Sequence, residues 1–437
     1  MTNPEKITYT FIPGKNWKLS LAELLSLSKT RNYRFKVTSL SKSFFTITTE
    51  RTLDPTIIDD LGGTIKIGRV ISSISMKTVK DAFIHKTKSA QVAFRANLSE
   101  CAPNQTSATP LKECVFGVSL YIEDYDLFRF SARIQRFIGS YFKEKLASSG
   151  TRARFMGFPR SRRLPQLTHV EVLKKELISK SFEILFCLGR DEGIVATTLA
   201  VHNPFEFQKR DMERPIQREI FSIPPRLAKI MVNLSSCSQG KVFLDPFCGT
   251  GTILQEALLA RARVRGMDID PWCIKASCTN LEWAKREYQL QDADYTILLG
   301  DARHLAIRIE KETIDCIATE PDLGPALRHL PTEEGARKIQ RKLRPLYHDF
   351  LKEAHIILRD GRNMVLTTPY IRTRNGSFVS SSIKEDDATM GFKPVFPFNK
   401  EFFASTTPLI EDLTKSLSLI EIGQRHKIGR EIHVFQK

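Results

Sequence analysis

Between Lys241 and Asp270 the chain runs through a short apolar stretch (Val242, Phe243, Leu244), a turn with Gly249 and Gly251, an apolar helical stretch (Ile253 to Ala260) and a second run ending in acid at Asp268 and Asp270. Strand, turn, helix and strand in that order predict one βαβ unit of a doubly wound sheet. In such sheets ligands bind outside the carboxyl ends of the strands, so Asp245, the glycines and Asp268 are expected to converge on one pocket. The alternation continues with a helix over Pro271 to Tyr288, a strand over Tyr295 to Gly300 with Asp301 at its tip, and a strand over Ile314 to Thr319. A helix over Arg344 to Leu358 then leads into a strand at Asn363 to Thr367, and the apolar runs Leu417 to Ile422 and Glu431 to Phe435 predict a final antiparallel pair.

Upstream, the pattern is that of a small α+β unit. Strands are predicted at Phe35 to Val37 and Phe44 to Thr48, and a helix near Leu19 to Leu27 with Ser20 as its cap and Glu23 three residues on. Gly62-Gly63 marks a turn before a strand at Thr64 to Ile67, and the polar stretch from Ser99 to Thr109 reads as a loop. A strand (Val115 to Ile122), a basic helix (Phe130 to Ala147), a helix (Val170 to Leu177) and paired strands (Phe182 to Leu188, Ile194 to Ala200) follow. Val201 to Leu234 bridges into the βαβ region; Pro225 suits a first helical turn, where its missing N–H costs nothing, and Asn233 reads as a cap.

What the glycine turn lacks narrows its ligand. A pyrophosphate needs several close backbone N–H groups or a cation, as in G-x-G-x-x-G or a lysine-bearing phosphate loop, and neither is present. Gly249-Thr250-Gly251 after Asp245-Pro246 makes a looser turn, and an acid at the tip of the next strand suits a ribose diol. The pattern calls for a nucleoside without phosphates that carries an amino-acid end: an ammonium for Asp245 and a carboxylate near the helix N-terminus. S-adenosylmethionine meets that description.

Charge changes the picture on the substrate side. With 66 Lys+Arg against 49 Asp+Glu the chain carries +17, which points to a polyanionic partner. No apolar run approaches the ~20 residues of a membrane span, and the N-terminus lacks a secretory pattern, so nucleic acid in the cytoplasm is the expectation. The eight cysteines are scattered with no C-x-x-C pair, which argues for isolated thiols rather than a metal site. Arg152, Arg154, Arg160, Arg162 and Arg163 interleave with Phe155 and Phe158, a mixture suited to RNA because arginine pairs with phosphate and stacks on bases.

DPFCGTGTILQEAL resembles the cofactor motifs of the class I methyltransferases, in the branch that modifies RNA and DNA amines. Thr319-Glu320-Pro321-Asp322-Leu323-Gly324-Pro325 corresponds in position to the (Asn/Asp)-Pro-Pro-(Tyr/Phe) signature of exocyclic-amine methyltransferases, with Glu320, Asp322 and Leu323 as departures. Together with the upstream units and the linker Arg210-Asp211 to Arg214-Pro215, the chain resembles the THUMP-containing tRNA guanosine N2-methyltransferases that act at position 10.

The resemblance implies a Rossmann-like α/β domain with a mixed seven-stranded sheet, preceded by ferredoxin-like and THUMP units, with divisions at 1–70, 71–203, 204–234 (linker and lead-in helix) and 235–437. It implies S-adenosylmethionine contacts at Asp245, Phe247, Gly249, Thr250, Gly251 and Thr252, and at Asp268, Ile269, Asp301 and Ala302, the last pair beside the adenine. It places Glu320, Pro321 and Asp322 at the acceptor amine, with tRNA as substrate, no metal, and a small activating subunit as a further partner known among eukaryotic relatives. Glu320 and the Pro321 carbonyl are the expected acceptors for the amine hydrogens. Asp322 is expected to favour guanine, whose N1–H and N2–H one carboxylate can accept together. Tyr370 offers a stacking face in place of Leu323. Another amine acceptor, or an inactive tRNA-binding protein, are the alternative readings.

Overall fold

The computed structural model describes residues 6–99, 113–157, 164–218, 222–381, 383 and 390–437. The N-terminal apolar runs pair into β1 (Ile7–Pro13), β2 (Phe35–Leu40), β3 (Phe45–Thr49), β4 (Thr64–Ser75), β5 (Glu113–Ile122), β6 (Arg152–Met156), β7 (Phe182–Leu188) and β8 (Glu192–Val201). These form one mixed sheet in the order β2-β3-β1-β4-β8-β7-β5-β6, with β5 parallel to both β6 and β7. Residue 70, where a division was expected, falls inside β4. That strand pairs β1 over its first half and β8 along nearly its whole length, so both upstream units share a single ladder.

A buried polar network ties four strands of this sheet together. Lys66 on β4 and Glu183 on β7 lie 2.5 Å apart at 1% and 0% side-chain exposure. Glu183 also accepts from Ser119 Oγ and, at 2.6 Å, from Thr198 Oγ1, while Lys66 Nζ donates to the Leu167 carbonyl at 2.9 Å. Glu183→Ala would strand an ammonium in the core, and breaking such a pair costs about 3–5 kcal/mol. The expected result is a urea midpoint lowered accordingly, followed by the fluorescence of the chain.

The second sheet contains β9 (Val242–Asp245), β10 (Arg263–Asp268), β11 (Tyr295–Leu299), β12 (Ile314–Thr319), β13 (Leu358–Arg372), β14 (Phe378–Val379), β15 (Lys393–Pro394), β16 (Ser418–Glu421) and β17 (Ile428–Gln436). Their order is β11-β10-β9-β12-β13-β17-β15, with β16 also on β17 and β14 on β13. β9 to β13 run parallel and β17 antiparallel, so the predicted closing pair is present as β16 and β17. The two-residue strands β14 and β15 add to the seven expected. The helix expected from Arg344 begins earlier and spans Glu333–Ile357, with Pro345 inside it. Among the described residues no helix is long and apolar enough to cross a membrane.

The two sheets are joined through the helices Trp17–Thr30 and Pro225–Leu234, which pack in one hydrophobic core running from Phe11 and Phe45 to Phe243 and Ile432. Here the structure corrects the capping assignment: Asn16 caps the first helix, accepting from Leu19 N. Ser20 instead donates to the Gly63 carbonyl at 2.7 Å, and Glu23, fully buried, accepts from Gly62 N and Gly63 N at 2.8 and 2.7 Å. Asn233 completes the junction by donating to Glu23 Oε1 and to the Asp60 carbonyl. Burial pushes the Glu23 carboxyl up to about 7, against the pull of these donors. A Cβ at Gly62 would stand 2.2 Å from the Arg226 carbonyl, so the close approach of turn and helix requires glycine there.

Candidate active site

The order of strands reverses between β9 and β12, and the residues at those two tips touch. Asp245 ends β9 at 1% exposure, and its Oδ1 accepts from Thr319 Oγ1 at 2.6 Å and from Phe247 N at 3.2 Å. Burial raises its pKa to about 7; the two donors pull it down, while the charges of Asp268 and Glu320 add to the rise. Beyond it the turn is held by acid and by the following helix. Gly249 N donates to Asp268 Oδ2 at 2.8 Å, and Gly251, at φ +84°, precedes the helix Thr252–Leu259. Thr250 and Thr252 are buried, and Phe247 packs edge-on against Phe350.

Two residues that sequence reasoning missed brace this turn from below. Ser277 Oγ donates to the Gly249 carbonyl at 2.7 Å, and Asn280 Nδ2 donates to the carbonyls of Thr250 and Ile216. Both lie on the helix Pro271–Glu287, on the face that also buries Cys273, Ala276, Leu281 and Ala284. A polar pair inside that apolar stripe was the available signal.

At the neighbouring tips, Asp268 Oδ1 accepts from Asp270 N, and Asp270 caps the next helix. Ile269 is 67% exposed at the mouth of the site. Asp301, on the far side, accepts from Arg303 N at 2.9 Å and pairs with its guanidinium at 2.6 Å; hydrogen bonding to Arg303 holds its carboxyl below the usual range. Ala302 beside it is buried.

The β12 tip carries the amine-directed residues. Glu320 forms a two-pronged pair with Arg430 of β17, at 2.5 and 3.1 Å, and Arg430 reaches Glu421 at 3.3 Å as well. Pro321 is buried, whereas Asp322 is exposed; its Oδ1 accepts from Gly324 N, and its carbonyl accepts from Tyr347 Oη at 2.6 Å. Tyr370 is stacked on Phe378, centroids 4.7 Å apart. The Glu333–Ile357 helix that supplies Tyr347 also carries Arg337, Arg341, Arg344 and His348 into an adjoining cleft.

Of the arginine-aromatic segment, Arg152 and Arg154 lie exposed on the edge strand β6, with Arg152 paired to Glu113. Phe155 packs on Phe116 and against Gly139, a core contact rather than an open stacking face. Arg160, Arg162 and Arg163 lie outside the described residues. Among the described residues no group of His, Cys, Asp and Glu is placed to hold a metal ion.

This sheet order, with acids at successive strand tips and a glycine turn at the reversal point, is that of a Rossmann-like doubly wound domain. Residues 215–376 match the family described as UPF0020: RMKL-like, methyltransferase domain. The chain is 35% identical over 186 residues to the tRNA (guanine(10)-N2)-dimethyltransferase of Methanothermobacter thermautotrophicus, a match covering 42% of this chain and 49% of that protein. It is 36% identical over 142 residues to the protein of that name from Methanocaldococcus jannaschii, covering 30% and 39%. The chain thus spans about half or less of the length of these curated relatives. Its fold is like that of the crystal structure of TrmN from Thermus thermophilus, at 14% identity and a TM-score of 0.52, covering 99% of this chain and 100% of that one.

Proposed function

We propose that the protein methylates the exocyclic N2 amine of a guanosine in tRNA, at position 10, with S-adenosylmethionine as donor. The observation that carries this reading is the hydrogen bond between Thr319 and Asp245, which sets the glycine turn and the Glu320-Pro321-Asp322 tip side by side at the strand-order reversal. The turn suits the donor: a Cβ at Gly249 would stand in open space, leaving room for a ligand to lie against the backbone, and Asp268 is held beside it. The relatives' names supply the nucleotide, and the +17 charge supports an RNA partner. The upstream sheet, with its exposed Arg152 and Arg154, is the candidate THUMP-type grip on tRNA.

The bound donor supplies a methyl group already activated by a positive sulfur. The acceptor amine is a poor nucleophile because its lone pair is delocalised into the base, so acceptors aimed at its hydrogens do the enabling work. Glu320 Oε1, the oxygen with the longer contact to Arg430, and the Pro321 carbonyl are the two acceptors. With the donor bound, Glu320 Oε1 would accept a hydrogen of N2, take the proton released on methylation and pass it to solvent. Gly324 N donates to Asp322 Oδ1, which leaves Oδ2 to accept from the guanine N1–H.

The test is incubation with labelled donor and tRNA transcripts bearing guanosine or inosine at position 10, followed by nucleoside analysis. Label is expected in N2-methylated guanosine from the first and none from the second, because inosine lacks the amine. Label on an adenosine, or at an unchanged level with inosine, overturns the acceptor assignment; no transfer to any tRNA favours a binding protein.

A further inference from the structure

The linker carries two buried arginines four residues apart, and they are not equivalent. Arg210 and Arg214 are 5% and 3% exposed, and they meet residues four apart on the helix Thr252–Leu259. Arg210 Nε reaches Glu256 at 2.6 Å, a complete ion pair. Arg214 instead donates to the neutral hydroxyls of Thr252 and Ser222, its Nε has no partner, and among the described residues no carboxylate lies within ion-pair range of it. Burial depresses its pKa and only the charge of Asp211 works the other way. A guanidinium taken out of water without a counter-ion is costly, so the described residues leave a local demand for an anion at Arg214.

Where that cation sits defines the anion. Thr252 is the first residue of the helix that follows Gly251, so this guanidinium, with no carboxylate partner among the described residues, stands at a helix N-terminus that already favours negative charge. The other side of the same turn is acidic, with Asp245 and Asp268, and two carboxylates would oppose a phosphate carrying two or more charges. Acid at the start of the turn and cation at its end match an α-amino acid, ammonium to one side and carboxylate to the other.

We infer that Arg214 binds the carboxylate of the amino-acid end of the methyl donor, and that this contact is what distinguishes the donor from other adenine nucleosides. The inference rests on the proposed use of S-adenosylmethionine. It gives the linker a task in the catalytic domain: the segment joining the upstream sheet to the second sheet supplies the counter-charge that completes the cofactor pocket.

Calorimetry on the full chain with two probes separates the possibilities. S-adenosylhomocysteine keeps the amino-acid end, and 5′-methylthioadenosine keeps the nucleoside and thioether without it. Wild type is expected to prefer the first by about 100-fold, in the range for a buried charge pair. Arg214→Gln should lose about tenfold of that preference for S-adenosylhomocysteine, the remainder resting on the ammonium at Asp245, while its affinity for 5′-methylthioadenosine stays within about threefold. Arg214→Lys, which keeps the charge and loses the fork, should fall between them. A second readout is the melting temperature of the ligand-free chain, which Arg214→Gln should leave unchanged or raise, since an uncompensated cation has gone. Equal loss for both probes, or a lowered ligand-free melting temperature with no change in preference, makes Arg214 a structural residue and overturns the inference. Uptake of neither probe by wild type overturns the donor assignment itself.

Discussion

Glu320→Gln is expected to lower kcat for tRNA methylation by about 10²–10³-fold, the loss typical when one preorganised polar group is removed from a reacting centre. The carboxylate is held on two oxygens by Arg430, so its orientation is set before a base arrives and little reorganisation accompanies the reaction. A glutamine keeps the shape, loses the charge, and must turn its amide nitrogen toward either Arg430 or the substrate amine, both of which are donors. The affinity for the methyl donor should remain within about threefold, because the loss falls on the transition state and not on the ground state. Arg430 acts through Glu320 and is therefore a positioning residue. Arg430→Ala should also depress kcat, and the double variant should be no slower than Glu320→Gln alone, the non-additivity expected of groups that work as a unit. Single-turnover rates on the four proteins decide it; effects that simply multiply would mean that Arg430 contributes by another route.

Local patterns carried most of what was legible in the sequence. Val242 to Asp270 forms its strand, turn, helix and strand because each element is specified by neighbours a few residues away, and the acids at Asp245, Asp268 and Asp301 fall at strand tips because apolar runs end there. What the sequence concealed was set by contacts distant along the chain. Ser20 and Glu23 have the spacing of a capping box, yet the helix begins three residues earlier at Trp17, and burial against Gly62-Gly63 gives both side chains a different partner. Asn233 looked like a cap and instead spans the junction to Glu23, some two hundred residues upstream. The helix expected from Arg344 starts instead at Glu333 and carries on through Pro345, where buried Leu343, Tyr347 and Phe350 hold both halves in the core. Glu320 was legible as an acid at the right strand tip; that Arg430 would clamp it depends on β17 pairing with β13, which no local signal announces.

Binding of the methyl donor should weaken about tenfold for each pH unit below 7 and level off above it, because one proton must leave Asp245 before its carboxylate can receive the donor ammonium. The sign follows from burial. With Thr319 and Phe247 as its donors among the described residues and Asp268 and Glu320 as negative neighbours, Asp245 holds its proton up to about pH 7 in the ligand-free chain, where an exposed aspartate would have lost it near 3.8. The same shift makes this group's contribution to folding largest below pH 3.8 and lost as pH rises through 7, a change of about 4 kcal/mol at 1.36 kcal/mol per unit. Asp245→Asn therefore has two opposite consequences. The ligand-free protein should melt higher at pH 8 than wild type, and its affinity for S-adenosylhomocysteine should be low and free of this pH slope. Glu23 also titrates near 7, and its carboxylate lies at the junction between the two sheets; being common to both proteins, it cancels in the difference between wild type and variant. Calorimetric titrations from pH 5.5 to 8.5 on the pair read the slope directly. A slope that survives in Asp245→Asn would assign the proton to another group and remove Asp245 from the ammonium.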